Sequence, residues 1–118
     1  MKVEILFEDK DIIVCVKPYG MPVQSDKSRD IDVLSYLKNY IYEKEELEEE
    51  PYLAMIHRLD RPVGGIMVFA KNKEAAAKLS DEVQDGAMTK FYQAVVTGQM
   101  PDDMGLLEDY LLKDGKTN

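Results

Sequence analysis

The apolar residues of this chain come in runs of three to six, each cut short by polar clusters, prolines or glycines, and this punctuation limits the possible folds more than any other feature. Ile5 to Phe7 and Ile12 to Lys17 are rich in β-branched residues and flank the polar turn Glu8-Asp9-Lys10-Asp11, which predicts a β-hairpin. Leu53 to Ile56 and Ile66 to Ala70 read as buried strands. No run approaches the roughly 18 residues that span a bilayer, and the N-terminus reaches acids too early for a secretory segment. The expectation is a soluble, cytoplasmic protein with no membrane partner.

Between the strands the periodicity changes. Asp30 is the expected N-cap of a helix carrying Leu34, Leu37 and Ile41, which runs into an acidic patch and is stopped by Pro51. Asn72 caps an Ala-rich helix with Ala76, Leu79 and Val83 on one face, ending near Gly86. Lys90 to Thr97 predicts a further strand, while Leu106 to Leu112 fits a strand or a helical turn equally well. The tail from Lys113 to Asn118 holds an Asp-Gly turn signal with no second strand after it, so the chain is expected to stop partway through a fold. The pattern as a whole is α+β, a mixed, largely antiparallel sheet with two packed helices and no second domain.

The charge pattern narrows the function. Fifteen bases against twenty-three acids give a net −8, which excludes a protein held to nucleic acid by its overall field. The excess is uneven, however: Glu43 to Glu50 alone carries −5, whereas Ile56 to Lys78 carries +3 and offers one basic surface. The acidic run reads as a solvated helix end. Cys15 is the sole cysteine and lies in an apolar run, so a buried thiol in a reducing compartment is expected. With His57 the sole histidine, no nitrogen and sulfur ligand set for zinc exists, and no metal is expected.

The densest chemical feature is His57-Arg58-Leu59-Asp60-Arg61-Pro62-Val63-Gly64-Gly65, one carboxylate flanked by two guanidinium groups where a strand leaves for a Pro/Gly turn. Two glycines there would let a substrate approach the backbone. A hydrolytic triad is excluded, because no second histidine and no serine elbow are present, and His57 reads as a hydrogen-bonding residue more than a base. By composition alone the cluster reads more readily as a salt bridge at a strand end than as a site.

His57-Arg58-Leu59-Asp60 followed by Gly65-Ile66-Met67-Val68-Phe69-Ala70-Lys71 resembles the signature of the RluA family of RNA pseudouridine synthases. The opening hairpin with its Lys17-Pro18-Tyr19-Gly20-Met21-Pro22-Val23 loop is similar to that family's start, and Lys90-Phe91-Tyr92-Gln93-Ala94-Val95-Val96-Thr97-Gly98 to its later K-x-Y-x-A-x-V-x-G segment. The resemblance implies an isomerase that needs no cofactor and converts uridine to pseudouridine in ribosomal or transfer RNA. It implies that Asp60 is the catalytic carboxylate, as nucleophile or as the base that opens elimination. Arg58 would fill the place of the extruded base, and Tyr92 would lie against the uracil; Arg58, Arg61, Lys17 and Lys71 would contact RNA. Lys17, Pro18 and Gly20 would shape the loop beside the site.

Two departures stand out. Pro62-Val63-Gly64-Gly65 replaces the Asp-Thr-Ser-Gly-like turn of many members, and no Arg-Thr-Gly-Arg-x-His-Gln-like motif occurs. Residues 1–118 are therefore expected to form the N-terminal part of one catalytic domain, with little activity alone. The alternative is a non-catalytic RNA- or protein-binding module derived from such an enzyme.

Overall fold

A computed structural model describes residues 1–115. β1 (Glu4–Glu8) and β2 (Ile12–Lys17) form the expected hairpin. Its turn is fixed by Asp9, whose Oδ1 accepts from the amides of Asp11 and Ile12, both at 2.8 Å. A bulge between Ile5 and Phe7 turns Leu6 and Phe7 outward. β3 (Ala54–Met55) is shorter than the run 53–56, and β4 (Gly65–Ala70) matches its expected span within one residue. The order is β1-β2-β4-β3, and all three pairings are antiparallel. The fold is α+β, as the sequence pattern requires.

The central pair decides where function can sit. β2 and β4 pair over six residues, from Ile12 opposite Ala70 to Lys17 opposite Gly65. That register brings the turn after Lys17 against the turn before Gly65, although 47 residues separate them. Ile13, Cys15, Met67 and Phe69 point to one face and are buried with Val33, Leu37 and Ile41 of α1 (Val33–Lys44). Cys15 is buried as expected, and desolvation pushes its thiol up to about 11, so it is held neutral.

The N-cap of α1 is Asp32, not Asp30. Asp32 is extended and buried, and its Oδ2 accepts from the Ser35 amide at 2.9 Å, while Asp30 is taken by Arg61. The helix also ends before Pro51. Glu46 adopts a left-handed φ of 51°, and the Leu47 amide bonds back to the Tyr42 carbonyl at 3.0 Å, so Leu47 folds onto the core. Acids crowded at the negative end of the helix dipole favour this early stop. α2 (Lys73–Gln84) is capped by Asn72, whose Oδ1 accepts from the Ala75 amide at 2.8 Å. It closes in the same way at Gly86, with φ 73° and the Ala87 amide on the Glu82 carbonyl at 2.8 Å.

The expected strand at Lys90 to Thr97 is not formed. Residues 89–100 are irregular, and Val95 is as exposed as in an open chain, at 104%. Among the described residues nothing pairs with this stretch, and β-propensity without a ladder partner does not make a strand. Leu106 to Leu112 forms neither of the two elements considered, and its leucines are exposed. The radius of gyration, 17.0 Å, exceeds the roughly 13.5 Å of a compact chain this long because of this segment. Of the tail signal, Lys116 to Asn118 lie outside the described residues.

Candidate active site

Two turns meet at the end of β2 and β4, and Lys17 holds them together. It lies on the same face as Ile13 and Cys15, so its side chain is driven into the interior and is fully buried. Its ammonium donates to the carbonyls of Pro18 at 3.1 Å, Arg61 at 2.9 Å and Val63 at 2.5 Å. Burial and then the Arg61 charge push it below the usual lysine value, with Asp60 pulling the other way. The expected contact of Lys17 with RNA is therefore corrected: its donors are spent inside the protein, and its role is to shape the loops.

The glycines serve the same contact. A Cβ on Gly64 would stand 3.3 Å from the Lys17 carbonyl oxygen and 3.4 Å from the Tyr19 nitrogen, so what approaches closely is the other turn of the chain. A Cβ on Gly65 would meet Leu59 Cδ1 at 3.3 Å. The Gly20 amide donates to the Arg61 carbonyl at 2.9 Å and locks the pair.

Arg61 points away from Asp60. Its Nε donates to the Gly20 carbonyl at 2.9 Å, Nη1 to Asp26 Oδ2 and Ser28 Oγ at 3.1 Å each, and Nη2 to Asp30. These bonds hold the 20–30 loop, and both carboxylates sit below the usual range: Asp26 chiefly through Ser28, Asp30 chiefly through Arg61. Arg61 therefore braces this loop while its side chain stays 41% exposed. Lys71 lies apart from this turn. It leaves the opposite end of β4, roughly 20 Å from Gly65 by strand rise, and pairs with Glu8 at 2.7 Å. Burial pushes Glu8 up, but hydrogen bonds from Lys44, Lys71 and Tyr40 outweigh it and bring the carboxyl to about 2.

The turn that Lys17 secures carries Arg58 and Asp60, both exposed. Among the described residues neither side chain has a hydrogen bond or ion pair, so the salt bridge that composition allowed is absent. Residues 57–60 alternate half-buried and exposed, which turns His57 and Leu59 inward and Arg58 and Asp60 outward together. Next to them a cavity of about 710 Å³ is lined by His57, Leu59, Gly65, Ile66, Lys90 and Tyr92, among others. Its size suits a nucleoside. Tyr92 is 67% exposed and lines this space, as do His57 and Leu59, whereas Arg58 and Asp60, on the outward side of the same turn, are not among its lining residues.

Sequence reading missed three contacts: the buried ammonium of Lys17, the grip of Arg61 on the 20–30 loop, and the bond from the Val68 amide to His57 Nε2 at 3.3 Å. The alternation Ile13, Cys15, Lys17 was the available signal for the first. The other two rest on long-range register and left no local trace.

With this sheet and this motif-bearing turn, the chain belongs to the RNA pseudouridylate synthase family, whose model matches residues 11–118. The resemblance to the RluA family is borne out by its relatives. The ribosomal large subunit pseudouridine synthase D of Pseudomonas aeruginosa is 33% identical over 98 residues, covering 83% of this chain and 30% of that protein. The tRNA pseudouridine synthase C of Haemophilus ducreyi is 32% identical over 116 residues, covering 96% and 44%. Among solved structures, human RNA pseudouridylate synthase domain containing 4 superposes with a TM-score of 0.58 at 30% identity, over 70% of this chain and 30% of that one. The chain spans about a third of the length of curated relatives that it matches.

Proposed function

We propose that these residues form the front part of one catalytic domain that isomerises uridine to pseudouridine in ribosomal or transfer RNA, in the cytoplasm, with Asp60 as the reacting carboxylate. The N1–C1′ bond breaks, the uracil turns, and C5 is joined to C1′; the proton lost from C5 is balanced by one gained at N1. Asp60 acts as the anion beside the ribose. Arg58 takes the place of the base drawn out of the RNA, an extrusion that costs a few kcal/mol. Tyr92 lies against the uracil in the cavity.

One observation carries this reading: Asp60 and Arg58 are exposed together, without a side-chain hydrogen bond or ion pair among the described residues, on a turn clamped from behind by Lys17. The backbone of the turn is held by Lys17, and both side chains are open to a substrate. No helix among the described residues is long and apolar enough to cross a membrane.

A protein of its relatives' length that carries these residues is expected to release tritium from RNA containing 5-tritiated uridine, and residues 1–118 alone to release little. Salt-dependent RNA binding without tritium release by the longer protein would make it a binding module instead.

A further inference from the structure

The inward half of the His57–Asp60 alternation has a feature that the proposed chemistry does not use. β3 pairs with β4 at Ala54 opposite Ala70 and Met55 opposite Phe69, and the next rung would set Ile56 opposite Val68. The chain bends there instead, and the Val68 amide donates to His57 Nε2 at 3.3 Å. An imidazole thus supplies the acceptor that a strand carbonyl would have supplied. Two residues on, Leu59 rests on Gly65, so alternate residues of the arm, 57 and 59, are anchored on β4. Arg58 and Asp60 are carried outward between and after these anchors.

We propose that His57 is a positioning residue for Asp60 and Arg58, holding their arm on β4 only while its imidazole is neutral with the proton on Nδ1. The role assigned to Asp60 rests on the function proposed above; the contact with Val68 does not. An Nε2 that accepts a bond must carry a lone pair, and protonation would set two N–H groups face to face. β4 contributes no ionisable side chain between Gly65 and Ala70, and the segment after α2 contributes Lys90 and Tyr92. Burial first, and then the Lys90 charge, hold His57 below the ordinary histidine value. A group so lowered favours the folded arm above its unfolded value near 6.5, and that support is lost as pH falls through the lower folded value.

Two measurements test this. In the 118-residue chain labelled with ¹⁵N, long-range proton–nitrogen spectra at neutral pH are expected to show Nδ1 protonated and Nε2 bare, with the Val68 amide shift following the imidazole titration. A proton on Nε2, or a Val68 amide indifferent to that titration, would overturn the proposal. In the longer protein, His57→Phe is expected to lower kcat roughly 10- to 100-fold with KM for RNA unchanged, and His57→Gln, which keeps an acceptor, to recover part of it and lose the acidic limb of the pH profile. Unchanged kcat in His57→Phe would overturn the positioning role. If the wild-type protein formed no pseudouridine, the functional reading would fall while the spectra still decided the contact.

Discussion

Replacing Lys17 with methionine keeps the stem that fills the interior and removes only the ammonium. Three bonds go with it, to the carbonyls of Pro18, Arg61 and Val63. They are not equal losses. The Arg61 carbonyl still accepts from the Gly20 amide at 2.9 Å and the Pro18 carbonyl from Met21 at 3.4 Å, whereas the Val63 carbonyl keeps no partner among the described residues. One orphaned carbonyl costs about 1–3 kcal/mol, and the two weakened ones add about 1 kcal/mol each before the relief of no longer burying a charge is deducted. The expected net loss is about 2–3 kcal/mol in urea unfolding followed by circular dichroism. Amide exchange at Gly20 and Val63, whose bonds close the two turns, is expected to speed up more than exchange in β2. Lys17→Arg should not restore stability, because a planar fork cannot be seated where a compact ammonium meets three oxygens. A loss below about 0.5 kcal/mol, or exchange rates unchanged in both turns, would refute the view that Lys17 clamps the arm.

Two further outcomes follow from the charges and the helix ends. Because the Glu8 carboxyl lies at about 2 when folded against an ordinary 4.5, its contribution is complete above pH 4.5 and is lost as pH falls toward 2; Glu8→Gln should remove that acid sensitivity, worth at most about 3 kcal/mol, in unfolding curves compared at pH 7 and pH 3. Glu46→Gly should raise stability by about 0.5–1 kcal/mol by relieving the left-handed φ of 51° at the end of α1, and a decrease in the urea midpoint would contradict that account.

Where the sequence was legible, a short stretch determined the outcome by itself. The hairpin follows from two β-branched runs and an aspartate turn, and α2 from an Asn cap and a Gly stop, all within a few residues of each other. The N-cap of α1 was displaced by two residues because Asp30 and Asp32 are equally able caps, and the choice was made by Arg61, which takes Asp30 from 31 residues away. The strand at 90–97 failed for a related reason, since its apolar pattern needs a ladder partner that the described residues do not contain. At the site, the motif itself was readable, but its electrostatics were not. Charge type suggested that Lys17, Arg61 and Lys71 face RNA, whereas register turns the first inward, loop contacts take the second, and strand length carries the third to the far end of the sheet.

The central claim is the proposed role of Asp60 as the reacting carboxylate on its exposed turn. The direct measurement is conversion of uridine to pseudouridine under single-turnover conditions, with saturating RNA, by the longer protein and its Asp60→Asn variant. The account predicts that the variant binds RNA and unfolds as the parent does and yields no pseudouridine. Product formed by the variant at the parent's rate would contradict it.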